Sequence, residues 1–551
     1  MLALFFSLAL ADTWPPDSVI PKAATLDVTP EGFAAVADVI PALVPTAIAI
    51  PETSSGGTVL GLCDYGFALT NGAANIQVVS ASIVPMNGVL DITAELLVGI
   101  NDSSNQLSLG YEYCFGDDSC NGWIDPFPVT IHTTMNLEVT GADTGQPKLD
   151  ATIGALEYEY GLSGDDIHLD CWLQGIEDFL DIIGLSFYDL IIGLLAPTLE
   201  STIADLAPTL EETVEDAFSA AIIQQELDLN GVTATINLYP SDVDITPDGM
   251  RIVMDGGVSA AQASCVAPYD PGGSLKTLSA PPDLSANAAG AHAALHLSDD
   301  FTNEALYALW RGGLLCIDSN SIELPITLDT TLLGSLTGNV FADLFPVAKP
   351  VVLRTVPAAP LSAVFDGPND VDIAVKDLQL EFYGELDGRL ARLVDISLTG
   401  NIGANLLFDG STGNLGVELA LNSDSLTPSV AYNELKPDDN ETILASFGPS
   451  FGSLVTNLIG SLLGDSLSFV LPSFSGFGLQ ALNIEGSPEW LDGYVQLGLV
   501  AYGDPSAGCG SCGGDSGGGC GGGCTVGGVY VPGWMAWMPA LAAMVLRRRR
   551  Q

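Results

Sequence analysis

The chain has 551 residues, 47% of them hydrophobic and only 15% charged, which allows two or more domains with real cores and excludes a disordered acidic tail. Its net charge is -53, from 68 Asp and Glu against 15 Lys and Arg, four of which are the terminal Arg547–Arg550. So acidic a surface repels phosphate backbones and excludes nucleic-acid binding.

In chain order, residues 1–11 (MLALFFSLALA) are an apolar run closing on the small-x-small pattern Ala9-Leu10-Ala11. They predict a signal peptide, although no Lys or Arg precedes the run. Residues 12–265 read as a first domain. It opens with the strand-like ATLDVTPEG and a helix carrying Phe33, Val36, Ile40 and Leu43 at three-to-four spacing. Strands and turns follow, then a long apolar helical stripe of Leu199, Ile203, Leu206, Leu210, Val214, Phe218 and Ile222. Acidic residues take its other faces, and Pro197 and Pro208 bend or break it. The domain closes on LYPSDVDI and PDGMRIVMDGGV.

Residues 266–290, rich in Pro, Gly, Ser and Ala, predict a linker. Residues 291–503 repeat the order. The stretch AALHLSDDFTNEALYALWRGG predicts a strand, caps at Ser298 and Asp299, a helix through Leu309 and a stop at Gly312-Gly313. The half-buried strand DVDIAVKD follows, then a helix with Leu454, Leu458 and Leu462 in line, then a closing SPEWLDGYVQLGLVAYG that echoes the first closing segment. Residues 504–528 are a Gly- and Cys-rich tether, and residues 529–551 an apolar span followed by the Arg run, which predicts a membrane anchor.

Few motifs carry chemistry. Six body cysteines in an exported chain predict disulfides. Cys114 and Cys120 flank a turn-like FGDDS and are the local pair; Cys63–Cys171 and Cys265–Cys316 follow by elimination. The G-x-S-x-G at Ser450 would suit a hydrolase nucleophile, but all four histidines lie upstream of it. His292 and His296 have helical metal spacing, yet their segment reads as a strand, which separates them too far to share an ion. No catalytic residue, metal or cofactor is therefore expected, and the tail cysteines, Cys509-x-x-Cys512 included, suit disulfides or processing better than zinc.

The order of these segments over residues 22–503 resembles the two-barrel, bactericidal/permeability-increasing protein-like branch of the tubular lipid-binding superfamily. The resemblance is carried by residues 25–56, by residues 298–330 and by the closing LPSFSGFGLQALNIEGSPEWLDGYVQLGL. It implies an α+β fold of two pseudo-repeated elongated antiparallel β-barrels, end to end, each wrapped on long helices. Separately, the tail resembles the C-terminal sorting signals of myxobacteria and their relatives, with Cys524 in GGGCTVGG as the attachment position. From the residues alone, the apolar stripes describe either a closed core or a groove; the resemblance implies the groove. The expectation is a non-catalytic bacterial protein that binds, and can transfer, phospholipid or another acyl-chain lipid, anchored at the cell surface or outer membrane by its C-terminus. The alternative is an adhesin or structural surface module with closed barrels. The basic face with which host-defence relatives meet lipopolysaccharide is missing from so acidic a chain.

Overall fold

The computed structural model describes residues 19–38, 41, 46–50, 52–59, 63–70, 72–100, 107–113, 116–141, 147–163, 166–170, 201, 223–229, 232–267, 281–284, 290–321, 327–409, 414–420, 426–448, 469–470 and 478–498. The apolar strand β1 (Ile20–Val28) leads into α1 (Pro30–Ala37). Thr29 caps this helix by accepting from the Gly32 amide, and Pro30 occupies the first turn, where its missing N–H costs nothing.

Ten strands then form one sheet: β2 (Ala47–Ile50), β3 (Thr53–Val59), β4 (Cys63–Thr70), β5 (Gly72–Pro85), β6 (Leu90–Ile100), β7 (Leu107–Tyr113), β8 (Gly116–Thr140), β9 (Lys148–Ile153), β10 (Glu157–Tyr160) and β11 (Ile167–Leu169). Their order is β2-β5-β6-β8-β7-β4-β3, and the 25-residue β8 also carries β9, β10 and β11 along its length. The first half ends with β12 (Ile223–Leu229), β13 (Val232–Thr246) and β14 (Gly249–Ala260).

The second half opens with β15 (Ala293–Ser298) and α2 (Asp299–Arg311). Ser298 caps α2 by accepting from the Phe301 amide, and Gly312 ends it, as the spacing of these residues predicts. The short helix α3 (Thr330–Leu336) follows. A further sheet is built from β16 (Val351–Pro357), β17 (Ser362–Val364), β18 (Val371–Leu386), β19 (Arg389–Asp409), β20 (Asn414–Ala420), β21 (Leu426–Tyr432) and β22 (Phe469–Val470). Finally come β23 (Gly478–Gly486) and β24 (Trp490–Gly498).

The two-barrel expectation is corrected here. The closing pairs β13–β14 and β23–β24 do not each close a barrel. They form the two wings of one shared sheet, ordered β12-β13-β14-β1-β15-β24-β23. Its centre is the antiparallel pairing of β1 with β15, Ala24 opposite Leu297 and Val28 opposite Ala293. In strand order, β14-β1-α1 on one side of this pairing corresponds to β24-β15-α2 on the other. The physical reason is edge satisfaction: β1 and β15 spend both edges in this joint, so their hydrogen-bonding groups are no longer available to seal separate barrels. Among the described residues there are three antiparallel sheets and no closed barrel, and the helices are short: α1, α2 and α3 have 8, 13 and 7 residues, and a further helical stretch covers residues 440–448. The stripes at Leu199–Phe218 and Leu454–Leu462 lie outside the described residues.

The joint is tightly built. Thr29 donates from its amide to the His292 carbonyl at 3.1 Å, and a Cβ added to Gly32 would lie 2.0 Å from that same oxygen. Only glycine permits this approach of α1 to the start of β15. A disulfide links Cys265, after β14, to Cys316, after α2, with Cα atoms 6.3 Å apart, so it staples one half to the other. One apolar interior runs through the joint, from Leu90 and Met135 of the ten-stranded sheet, past Leu26, Met254 and Leu295, to Ala363 and Phe365. Trp310 Nε1 donates to the Pro357 carbonyl at 2.9 Å and ties α2 to the third sheet. That sheet has its own core, in which Leu353, Phe382, Val394 and Ile396 pack beneath Leu333 and Phe447.

Candidate functional site

The ten-stranded sheet separates its two faces by chemistry, through the alternation along β5, β6 and β8 on either side of their register shifts. The outward face is mainly polar, with Val79 and Val84 as exposed apolar exceptions. His132 Nε2 lies 2.6 Å from Asp91 Oδ1, and Ser80 Oγ donates to Glu95 Oε2 at 2.9 Å. On the inward face, successive rungs of the ladder are Pro85–Leu90–Met135–Ile153, Ile83–Ile92–Thr133, Ala81–Ala94–Ile131–Tyr158, Val78–Leu96–Val129–Tyr160, Ile76–Val98–Phe127 and Ile100–Ile124–Ile167. Thr133 contributes the one hydroxyl of a non-aromatic side chain in these rungs, and it donates to the Gly154 carbonyl at 3.3 Å. A bulge between Val78 and Ser80 turns Val79 outward to 55% exposure and so keeps the register of the apolar face.

Along the 11-residue β6 this face is roughly 35 Å long. Its ends are buried, at Leu90 and Met135 on one side and at Leu96, Val98, Phe127 and Val129 on the other. Its middle, Ile83, Ile92, Ala94 and Ile131, is only half-buried. An apolar surface of this shape attracts hydrocarbon, because each CH₂ taken from water contributes about 0.8 kcal/mol.

The groove residues expected from the sequence fall elsewhere. Phe33 on α1 and Leu309 on α2 are 5% and 1% exposed and belong to the interior packed against the central sheet, while Val36 is half-buried. Ile40, Leu43, Leu199, Ile203, Leu206, Leu210, Val214, Phe218, Leu454, Leu458 and Leu462 lie outside the described residues, as do Cys114, Cys171, Ser450, Cys524 and residues 529–551. Cys63 begins β4 and Cys120 sits in β8 opposite Leu109. Among the described residues no helix is long and apolar enough to cross a membrane, and no group of three His, Cys, Asp or Glu is placed to hold a metal.

Sequence reasoning missed a row of charges buried in the central sheet. Asp27 on β1 stands opposite Arg251 on β14, and His296 on β15 stands opposite Asp492 on β24. Arg251 Nε donates to Asp27 Oδ1 at 2.7 Å, and one of its terminal nitrogens donates to Asp27 Oδ2 at 2.5 Å. His296 reaches Asp27 Oδ2 through Nε2 at 3.0 Å and Asp492 Oδ1 through Nδ1 at 2.6 Å. Asp27 and His296 are fully buried. Burial alone would raise the Asp27 pKa, but its bonds to Arg251 and His296 outweigh it and hold the carboxyl below its ordinary value. Burial alone would lower that of His296, and the two carboxylates outweigh it in the opposite sense, raising it. The available signal was a single charged residue in each of three apolar strand segments, TLDV, ALHL and WLDGYV.

No family model matches this chain, and no curated protein does. Among solved structures, a lipopolysaccharide binding protein superposes with a TM-score of 0.46 at 13% identity, covering 87% of this chain and 100% of its own. P47 of Clostridium botulinum E1 superposes with a TM-score of 0.24 at 10% identity, covering 89% of this chain and 100% of its own.

Proposed function

We propose that the protein is a non-catalytic lipid-binding protein that lays acyl chains along the inward face of its ten-stranded sheet. The observation that carries this reading is the run of half-buried apolar rungs at Ile83–Ile92 and Ala94–Ile131, flanked by fully buried ones and backed by a mainly polar outer face. Such a site selects by hydrocarbon content and needs no cation, which suits a chain with so few basic residues. The apolar run and terminal arginines of residues 529–551 support display at a cell surface, with the described domains held outside.

The test is native mass spectrometry of the purified protein, followed by organic extraction. Bound acyl lipid is expected, and Ile92→Asn with Ile131→Asn should release most of it while leaving the circular dichroism spectrum unchanged. A protein that is lipid-free as purified, and stays so after incubation with phosphatidylethanolamine vesicles, would overturn the proposal. The fully packed interior around Phe33 and Leu309 would then favour a structural surface module.

A further inference from the structure

The row Arg251–Asp27–His296–Asp492 crosses four strands, two from each half, and its chemistry is unequal between the corresponding strands of the two halves. Asp27 and His296 are equivalent positions, each two residues before a helix cap, at Thr29 and Ser298 respectively. Arg251 and Asp492 are equivalent too, each standing opposite one of them. Each pair of equivalents therefore carries opposite charge, provided the imidazole is doubly protonated. Both ring nitrogens face carboxylates, so a neutral ring leaves one nitrogen without a proton against an acceptor-only group.

We propose that this row is a proton-operated latch between the two halves of the chain, closed while His296 is an imidazolium and loosened when it loses a proton. The titratable and charged groups that face the ring are Asp27 from β1 and Asp492 and Tyr494 from β24, with Arg251 of β14 behind Asp27. Tyr494 stands edge-on to the ring at 6.3 Å, and burial with the nearby Asp492 pushes its hydroxyl up to about 12, so it stays neutral. The linker joins the device, because Arg251 also donates to the Pro282 carbonyl. On the other face of the sheet, Glu304 of α2 is engaged with the Val258 amide at 3.0 Å.

The sign follows from linkage. The folded pKa of His296 lies above its ordinary value of 6.5, so its contribution is complete below that value and is lost as pH rises through the folded pKa. Asp27, held below its ordinary 3.8, contributes above that value and loses its contribution only as pH falls through its own depressed pKa. The latch therefore opens toward alkaline pH.

Hydrogen exchange of the full chain between pH 6 and 9, corrected for intrinsic rates, tests this. Protection of the β1 and β15 amides should fall with rising pH by up to about tenfold per unit, while the β4–β7 pairing, which joins no strand of the central sheet, keeps its protection. His296→Gln should remove that slope. Should this variant not fold, the four histidines of the wild-type chain still allow the ring to be read by NMR. One imidazole should keep its second proton above the ordinary value of 6.5. Flat protection at β1–β15, an unchanged slope in His296→Gln, or no ring that keeps its second proton above pH 6.5 would each overturn the proposal.

Discussion

Two residues show how single atoms set local energetics. Asp395 on β19 is 3% exposed, its Oδ1 lacks a hydrogen-bond partner among the described residues, and Glu381 stands opposite it. Burial, with the Glu381 charge, pushes its pKa up to about 6, despite Arg392 at 3.8 Å. The folded state thus holds a proton that the unfolded state releases near 3.8, and stability falls as pH rises from 3.8 to about 6. Asp395→Asn should accordingly match the wild type at pH 3.5 and exceed it at pH 8 by on the order of 2 kcal/mol, in urea titrations. Gly32 makes the opposite case. Its hydrogen faces the His292 carbonyl, so Gly32→Ala must push α1 away from β15. A loss of about 3 kcal/mol in the same titration is expected.

Among the elements, those specified by neighbours in sequence were the legible ones. Ser298 at a cap, Gly312 at a stop and the two echoing closing pairs act within a few residues, and the structure bears out the cap and the stop and draws both closing pairs as hairpins. The partner of β1 was not legible, because it is β15, and Asp27 meets His296 across 269 positions of chain. Nothing in a strand of alternating Leu and Val states which edge it will meet. For the same reason the apolar helix stripes drew attention as the site, whereas the inward rungs of β5, β6 and β8 only become a surface once the strands are laid side by side. The disulfide belongs to this scale too. It closes a loop of 51 residues between the halves, which by chain entropy stabilises the fold by about 4 kcal/mol. Cys265→Ser with Cys316→Ser should lower the unfolding free energy read from urea titration by an amount of that order or less, and a reducing agent should then have no further effect through this pair.

At the scale of the whole molecule, 68 acidic residues and few cations make self-repulsion a standing cost of compactness. Salt should therefore raise the melting temperature, in contrast to proteins whose surfaces are laced with ion pairs. A scan from 20 mM to 500 mM sodium chloride should show a rise of several degrees, and a fall would place the net charge effect elsewhere. The shared sheet also imposes an order in time. A ribosome adds about 5–20 residues each second, so Ala293, 265 positions after Val28, takes roughly 13–53 s to follow it. For that interval β1 offers a bare edge to any passing strand. The lone carboxylate of Asp27, awaiting Arg251 first and His296 afterwards, makes the wrong visitor costly and the right one welcome.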